Sequence, residues 1–186
     1  MFIKISTYLF LGEIKHNIDK IKQEGKDKIR NINRILGGGL KKMYKQYIII
    51  RKDLPMSAGK LVSQGAHASE SFLTHMISKS IILTEEGYVC NMVIDKDLWE
   101  QWMNPEASFT KVTLGIKNRN QLEKLLAKAN EMGFIEGKDY FCIHDEARTE
   151  LQDYKEEDGR VLTAIGFIPM EEEKLRPLLG KLQLFK

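Results

Sequence analysis

The chain has 186 residues, 42% hydrophobic and 30% charged, the ordinary balance of a soluble globular protein with one domain's worth of core and room for an appendage. Its net charge of +3 is too small to announce a nucleic-acid binder by itself, and no apolar run approaches the ~18 residues of a membrane span. Cys90 and Cys142 lie far apart and outside any CxxC pattern, so the expectation is a reducing, cytoplasmic compartment with both thiols as packing residues.

The distribution of charge says more than its sum. Met1 to Lys45 carries eleven Lys/Arg and four Asp/Glu, or +7, and the remainder carries 18 and 22, or −4. A basic arm on a slightly acidic body is the reading. Met1 to Gly12 is apolar but short, is interrupted by Lys4 and lacks a small-residue cleavage site, so it does not read as a signal peptide. From Glu13 to Leu36, Ile14, Ile18, Ile21, Ile29, Ile32 and Ile35 recur at helical steps with one gap around Gly25, which predicts an amphipathic helix. Its basic side suits RNA phosphate or anionic lipid at a membrane surface; packing on the body or on a partner explains the pattern as well. Gly37-Gly38-Gly39 is the break. The expected division is a basic N-terminal extension and linker over 1–42 and an α/β domain over 43–186.

Tyr47-Ile48-Ile49-Ile50 reads as a strand buried on both faces. Pro55 and Gly59 punctuate a loop, and a helix is predicted from about Lys60 to Ser80, with Leu61, Phe72, Leu73, Met76 and Ile77 facing the core. Residues 81–108 are the least legible; Asp95 to Met103 predicts a short helix ended by Asn104-Pro105. Lys111 to Ile116 is the second strand. Asn120 is the expected cap of the next helix, with Glu123 at the capping-box position, Leu122, Leu125, Leu126, Ala129 and Met132 as its buried stripe and Gly133 at C′. Tyr140 to Ile143 and Val161 to Ile168 are predicted as an antiparallel pair, and a last helix is expected from Pro169, followed by an apolar tail, Leu182 to Phe185. The order βααβαββα gives an α/β fold, a small four-stranded mixed sheet flanked by helices, with an N-terminal helical extension.

Two polar clusters could carry chemistry. A turn that leaves a strand and opens a helix gathers free N–H groups and the positive end of the helix dipole, which favours an anion or a developing negative charge. Lys60 sits at that turn beside Gly59, and Gln64 and His67 fall on the same helical face. The second cluster, Asp145, Arg148 and Thr149, follows the third strand. If the strand ends meet, the Lys60 ammonium would hold Asp145 ionised, and Thr149 could position a water or a substrate oxygen. The plainer alternative has Asp145 capping a turn, Arg148 in a surface ion pair and Lys60 solvated. His16, His75 and His144 show no metal-ligand spacing with each other or with the cysteines, so no metal site is expected. GxSxG, Walker A and GxGxxG patterns are missing. Trp99 and Trp102, three apart, read as core sooner than as a base-stacking platform.

The stretch Lys45 to Ala68, with Arg51-Lys-Asp-Leu54, Met56-Ser-Ala-Gly-Lys60, Gln64 and His67-Ala68, resembles the opening of the type 2 peptidyl-tRNA hydrolases, the archaeal and eukaryotic type. That family carries an R-x-D-L step and an M-G-K-G-K-x-x-x-Q-x-x-H-A loop and helix. Its second signature, D-x-G-R-T followed by V-L-A-I-G, resembles Asp145-Glu-Ala-Arg-Thr149 and Val161 to Gly166. The resemblance covers Lys45 to Lys186. It implies hydrolysis of the ester joining peptide to tRNA in prematurely released peptidyl-tRNA, which frees the tRNA for reuse, with Lys60, Asp145 and Thr149 catalytic. It further implies Gly59 and Arg148 as substrate contacts, Gln64 and His67 as substrate contacts or supports behind the catalytic residues, no cofactor or metal, and a homodimer. Three positions depart from it: Ala58 replaces a lysine, and Ser57 and Ala147 replace glycines. A non-catalytic relative that binds RNA ends or a protein partner is the alternative function.

Overall fold

The computed structural model describes residues 43–186, together with Lys20, Lys22, Glu24 and Lys28, which are helical. Apart from those four positions, the helix expected over Glu13–Leu36 and the glycine break lie outside the described residues. The chain divides into two units, Met1–Lys41 and Lys42–Lys186, and the second is described here by itself.

A mixed sheet of six strands is the centre of that unit, four of them in the order β5 (Tyr140–Asp145), β6 (Val161–Phe167), β1 (Tyr44–Arg51) and β4 (Lys111–Ile116), with a fifth, β8 (Gln183–Leu184), at the far edge. Strand β1 pairs parallel with β4 and antiparallel with β6. Strand β5 pairs antiparallel with β6. Two-residue strands complete it: β7 (Met170–Glu171) against the start of β1 and β8 against β4.

The expected continuous burial of β1 is observed and has a simple cause. Tyr47 and Ile49 enter the larger core beneath α3 (Arg119–Glu131) and α4 (Glu172–Leu179), whereas Ile48 and Ile50 enter a second cluster under α1 (Ala58–Ser80) with Ala68 and Ala164. A strand covered on both faces has no polar side to show. Helix α1 lies so close to β6 that a Cβ on Gly166 would stand 1.9 Å from the Ala68 carbonyl oxygen. Gln46, wholly buried on β1, ties the same helix down: its Nε2 donates to the Ser69 carbonyl at 2.8 Å, and the Ser69 hydroxyl donates to its Oε1 at 3.0 Å.

Several expectations need correction. The sheet has two more strands than the four expected, because β7 and β8 are too short to show a period. Residues 81–90 form a separate hairpin, β2 (Ile81–Thr84) and β3 (Gly87–Cys90), whose strands are exposed but for Gly87. The short helix is α2 (Lys96–Leu98), capped by the Asp95 carboxylate and continued by a wide turn over Trp99–Met103. Trp102 is core, packed edge-on against Phe72, but Trp99 is exposed. Asn118, not Asn120, caps α3 by accepting from the Gln121 N–H; Glu123 instead pairs with Arg119 at 2.7 Å. Ile77 and Met132 are exposed rather than core, each near the C-terminal end of its helix, Met132 being the C-cap of α3. Gly133 has φ +86, as its C′ place demands. The last helix starts at Glu172, since Met170 and Glu171 are paired with Lys45 and Tyr44.

Candidate active site

Topology brings the two polar clusters together. Because β6 runs antiparallel to both β1 and β5, these two strands point the same way, and the loop after β1 meets the end of β5 at one edge of the sheet. Strand β5 alternates, so Phe141 and Ile143 face α1, and Asp145 continues that side. The first turn of α1 then stands over the Asp145 carboxylate.

Three groups converge on it. Lys60 Nζ lies 2.6 Å from Asp145 Oδ2, Gln64 Nε2 donates to the same oxygen at 2.8 Å, and the Ala147 N–H donates to Oδ1 at 2.8 Å. Lys60 and Asp145 are largely but not wholly covered, at 17% and 13% side-chain exposure, so the pair can be reached from solvent. Burial alone pushes the Asp145 carboxyl up, but the Lys60 ammonium, the Ala147 N–H and the Gln64 amide together hold it below the ordinary carboxylate value. The site therefore holds an ionised carboxylate that positions an ammonium.

Ala147, at φ +50 and fully buried, adopts a left-handed conformation that costs an L-residue about 1–2 kcal/mol. The bend aims its N–H back at Asp145, and its methyl packs with Leu54, Leu151 and Val161. A glycine would adopt this conformation without strain, which is the physical meaning of the departure at this position.

The loop before α1 is fixed from two sides. Buried Arg51 forks onto Asp53 with bonds of 3.1 and 2.8 Å and donates to the Leu162 carbonyl at 2.9 Å. Ser57 caps α1 by accepting from the Lys60 N–H, while its own N–H and hydroxyl donate to the two carboxylate oxygens of Glu150 at 2.8 and 2.7 Å. Those two bonds lower the pKa of Glu150. An acidic side chain thus sits at the mouth where a bound anion was expected.

The other expected residues stand apart from this cluster. His67 is exposed on α1 and takes no part in the hydrogen bonds around Asp145. Arg148 is exposed and pairs with Glu146, as the plainer reading had it. Thr149 is exposed and takes no part in the hydrogen bonds around Asp145. Gly59 lies in the first turn of α1 with open space where a side chain would project. Among the described residues no group of three or more His, Cys, Asp or Glu is placed to hold a metal ion. Sequence reasoning passed over Glu150 and Thr163. Glu150 carried no signal, but a threonine inside the apolar run Val161 to Phe167 did.

Residues 44–185 match the family described as "Peptidyl-tRNA hydrolase PTH2". This chain belongs to that family. Proteins named peptidyl-tRNA hydrolase from Methanococcus maripaludis and Methanopyrus kandleri are each 32% identical to it over 144 residues, covering 76% and 77% of this chain and 99% and 100% of theirs. One from Thermoplasma acidophilum is 26% identical over 140 residues, covering 75% of this chain and 97% of its own. The region shared with these hydrolases contains the whole cluster around Asp145 and begins where the basic arm ends.

Proposed function

We propose that this protein hydrolyses the ester bond between the peptide and the terminal ribose in peptidyl-tRNA released early from the ribosome, returning the tRNA to translation. Membership of the hydrolase family supports the reaction, and the Lys60–Asp145 contact at 2.6 Å is the observation that carries the site. Ester hydrolysis needs an oriented water and donors for the oxyanion of the tetrahedral intermediate. In this reading Asp145 and Thr149 orient the water, whose oxygen attacks the ester carbonyl carbon. Lys60, held by Asp145 but with N–H bonds to spare, and the N–H groups around Gly59 take up the negative charge. One proton of the attacking water passes to the leaving ribose oxygen and the other to solvent, the peptide departs as a carboxylate, and no covalent enzyme intermediate is needed. Gln64 supports the carboxylate from behind, and His67 and Arg148, both exposed, meet the substrate.

The protein then acts in the cytoplasm as a homodimer, with residues 1–42 as a basic extension. Ala58 removes one phosphate contact where relatives of the resembled pattern have lysine, and the arm's charge supplies another. Deleting residues 1–39 should lower the salt dependence of tRNA binding; an unchanged salt slope rejects that role for the arm.

Cleavage of N-acetyl-aminoacyl-tRNA by Lys60→Ala and Asp145→Ala tests the site. Each should lose roughly 10²–10⁴-fold in rate. Near-normal rates in both would sink the assignment. A wild-type chain that binds tRNA ends without cleaving the ester would instead point to a non-catalytic relative, which the assembled Lys60–Asp145 pair speaks against.

A further inference from the structure

Strand β6 contains one residue more than its partner needs. Cys142 faces Ile165 and Ile143 faces Ala164, but His144 faces Leu162 and Asp145 faces Val161. Thr163 is the residue left over, a bulge in an otherwise regular pair. A regular strand would send Thr163 to the same side as Ile165, away from α1. The bulge instead puts it on the side of its neighbour Ala164, which packs on Ala68 of α1. Bulges beside functional sites often re-aim one side chain. Here the side chain is a hydroxyl with zero exposure, and a buried hydroxyl is costly unless it is bonded.

Its partner is Gln64. Thr163 Oγ1 lies 2.5 Å from Gln64 Oε1 and 3.1 Å from the Ile143 carbonyl oxygen. One hydroxyl proton serves one of these at a time. Gln64 is also almost fully buried, and its other amide atom, Nε2, donates to Asp145 Oδ2 at 2.8 Å. Were the amide reversed, its oxygen would face the carboxylate and its NH₂ would face the hydroxyl. An ionised Asp145 rejects that arrangement, and in the orientation it demands the buried Oε1 takes its hydrogen bond from Thr163. The orientation that gives Asp145 a donor is therefore the one in which Oε1 depends on the Thr163 hydroxyl.

We propose that Thr163 is a positioning residue for the hydrolysis: through the Gln64 amide it keeps the Asp145 carboxylate bonded and aligned with Lys60. The proposal rests on the reading of Lys60 and Asp145 as the reacting pair. Thr163 touches no substrate and acts only through Gln64. Removing its hydroxyl leaves Gln64 Oε1 buried without a donor and frees the amide to turn, so Asp145 loses a bond that favours its charged form.

The test compares full-length wild type, Thr163→Val, Thr163→Ser and Lys60→Ala in cleavage of N-acetyl-aminoacyl-tRNA across the acid limb of the pH profile. Thr163→Val keeps the shape and removes the donor; kcat should fall roughly ten- to a hundredfold, up to what a displacement of about 1 Å at a reacting group costs. KM should stay within about twofold, because the substrate's contacts are untouched. The acid limb should move to higher pH, and Thr163→Ser should restore both kcat and the limb. Wild-type kcat and an unmoved limb in Thr163→Val, beside an inactive Lys60→Ala, overturn the relay and leave the site reading standing. A Thr163→Ser variant as impaired as Thr163→Val also overturns it, since the hydroxyl would then be immaterial. Near-normal activity in Lys60→Ala brings down the site reading and the relay with it. Should Thr163→Val not fold, the side-chain amide of Gln64 in the ¹⁵N-labelled wild type decides. Its resonance must titrate together with the acid limb of activity, and an amide indifferent to pH there overturns the proposal.

Discussion

Gly166→Ala is a direct test of how the site is held, because the structure supplies its magnitude. The new methyl would stand 1.9 Å from the Ala68 carbonyl oxygen and 2.7 Å from its carbon, where ordinary contact begins at 3.4 Å, so 1.5 Å must be found. The obstacle is helix backbone, which cannot turn aside as a side chain would. Either α1 moves off the sheet at Ala68 or β6 bends, and overpacking of this kind costs about 1–3 kcal/mol. Ala68 lies one turn beyond Gln64 and two beyond Lys60, whose bonds to Asp145 are 2.8 and 2.6 Å. Displacement of about 1 Å at a catalytic group can cost roughly a hundredfold in rate. Urea unfolding and single-turnover cleavage of N-acetyl-aminoacyl-tRNA measure the two effects. Stability should fall and the rate should fall further than partial unfolding explains. A variant with wild-type stability and rate would refute the claim that contact between α1 and β6 sets the geometry of the site.

Three other outcomes are expected. Arg51→Met leaves Asp53 and the Leu162 carbonyl without their donor; the loss should be about 3 kcal/mol, the low end for breaking a buried pair because Asp53 is a third exposed, and a urea midpoint within 0.3 M of wild type, roughly the midpoint shift of under 1 kcal/mol, contradicts it. Asp145 has a folded pKa below its unfolded one, so its stabilisation is complete above about pH 4 and is lost as pH falls through the lower, folded value; wild type should therefore lose stability on acidification more steeply than Asp145→Asn, and parallel curves would show that the pair contributes nothing. Ala147→Gly relieves about 1 kcal/mol of left-handed strain but deletes a buried methyl worth about 0.8 kcal/mol, so its melting temperature should match wild type; a large shift either way means one of the two is misjudged.

What could be read in the sequence was what repeats or punctuates. Ile48, Ile49 and Ile50 announce a strand covered on both faces, and Leu122, Leu125 and Ala129 mark one face of α3, because burial leaves a period. Met132 breaks the stripe because it is already the C-cap, where the helical period ends and Phe134 takes over the packing on Phe167. Lys60 and Asp145 were legible as separate signals, and their meeting required the direction of β5 relative to β1. The hairpin was hidden because Ile81, Ile82, Leu83, Tyr88 and Val89 are all exposed, so no alternation distinguishes its faces. The bulge at Thr163 leaves the sequence apolar on either side, and only the register of β5 against β6 exposes it. Glu150 reaches Ser57 across 93 positions of chain, a contact that no local pattern encodes.

Helix α1 begins at the Lys60–Asp145 contact and ends at the hairpin. From Lys60 to Ser80 it spans about 30 Å at 1.5 Å per residue. Cys90, exposed at the end of β3, lies at that distant end, while the thiol of Cys142 is half-buried and its pKa is driven up by burial. A maleimide dye or a surface tether should therefore attach at Cys90 first. The chain thus comes with its own handle, one that lets single molecules be watched or immobilised with the Lys60–Asp145 edge turned toward the solution.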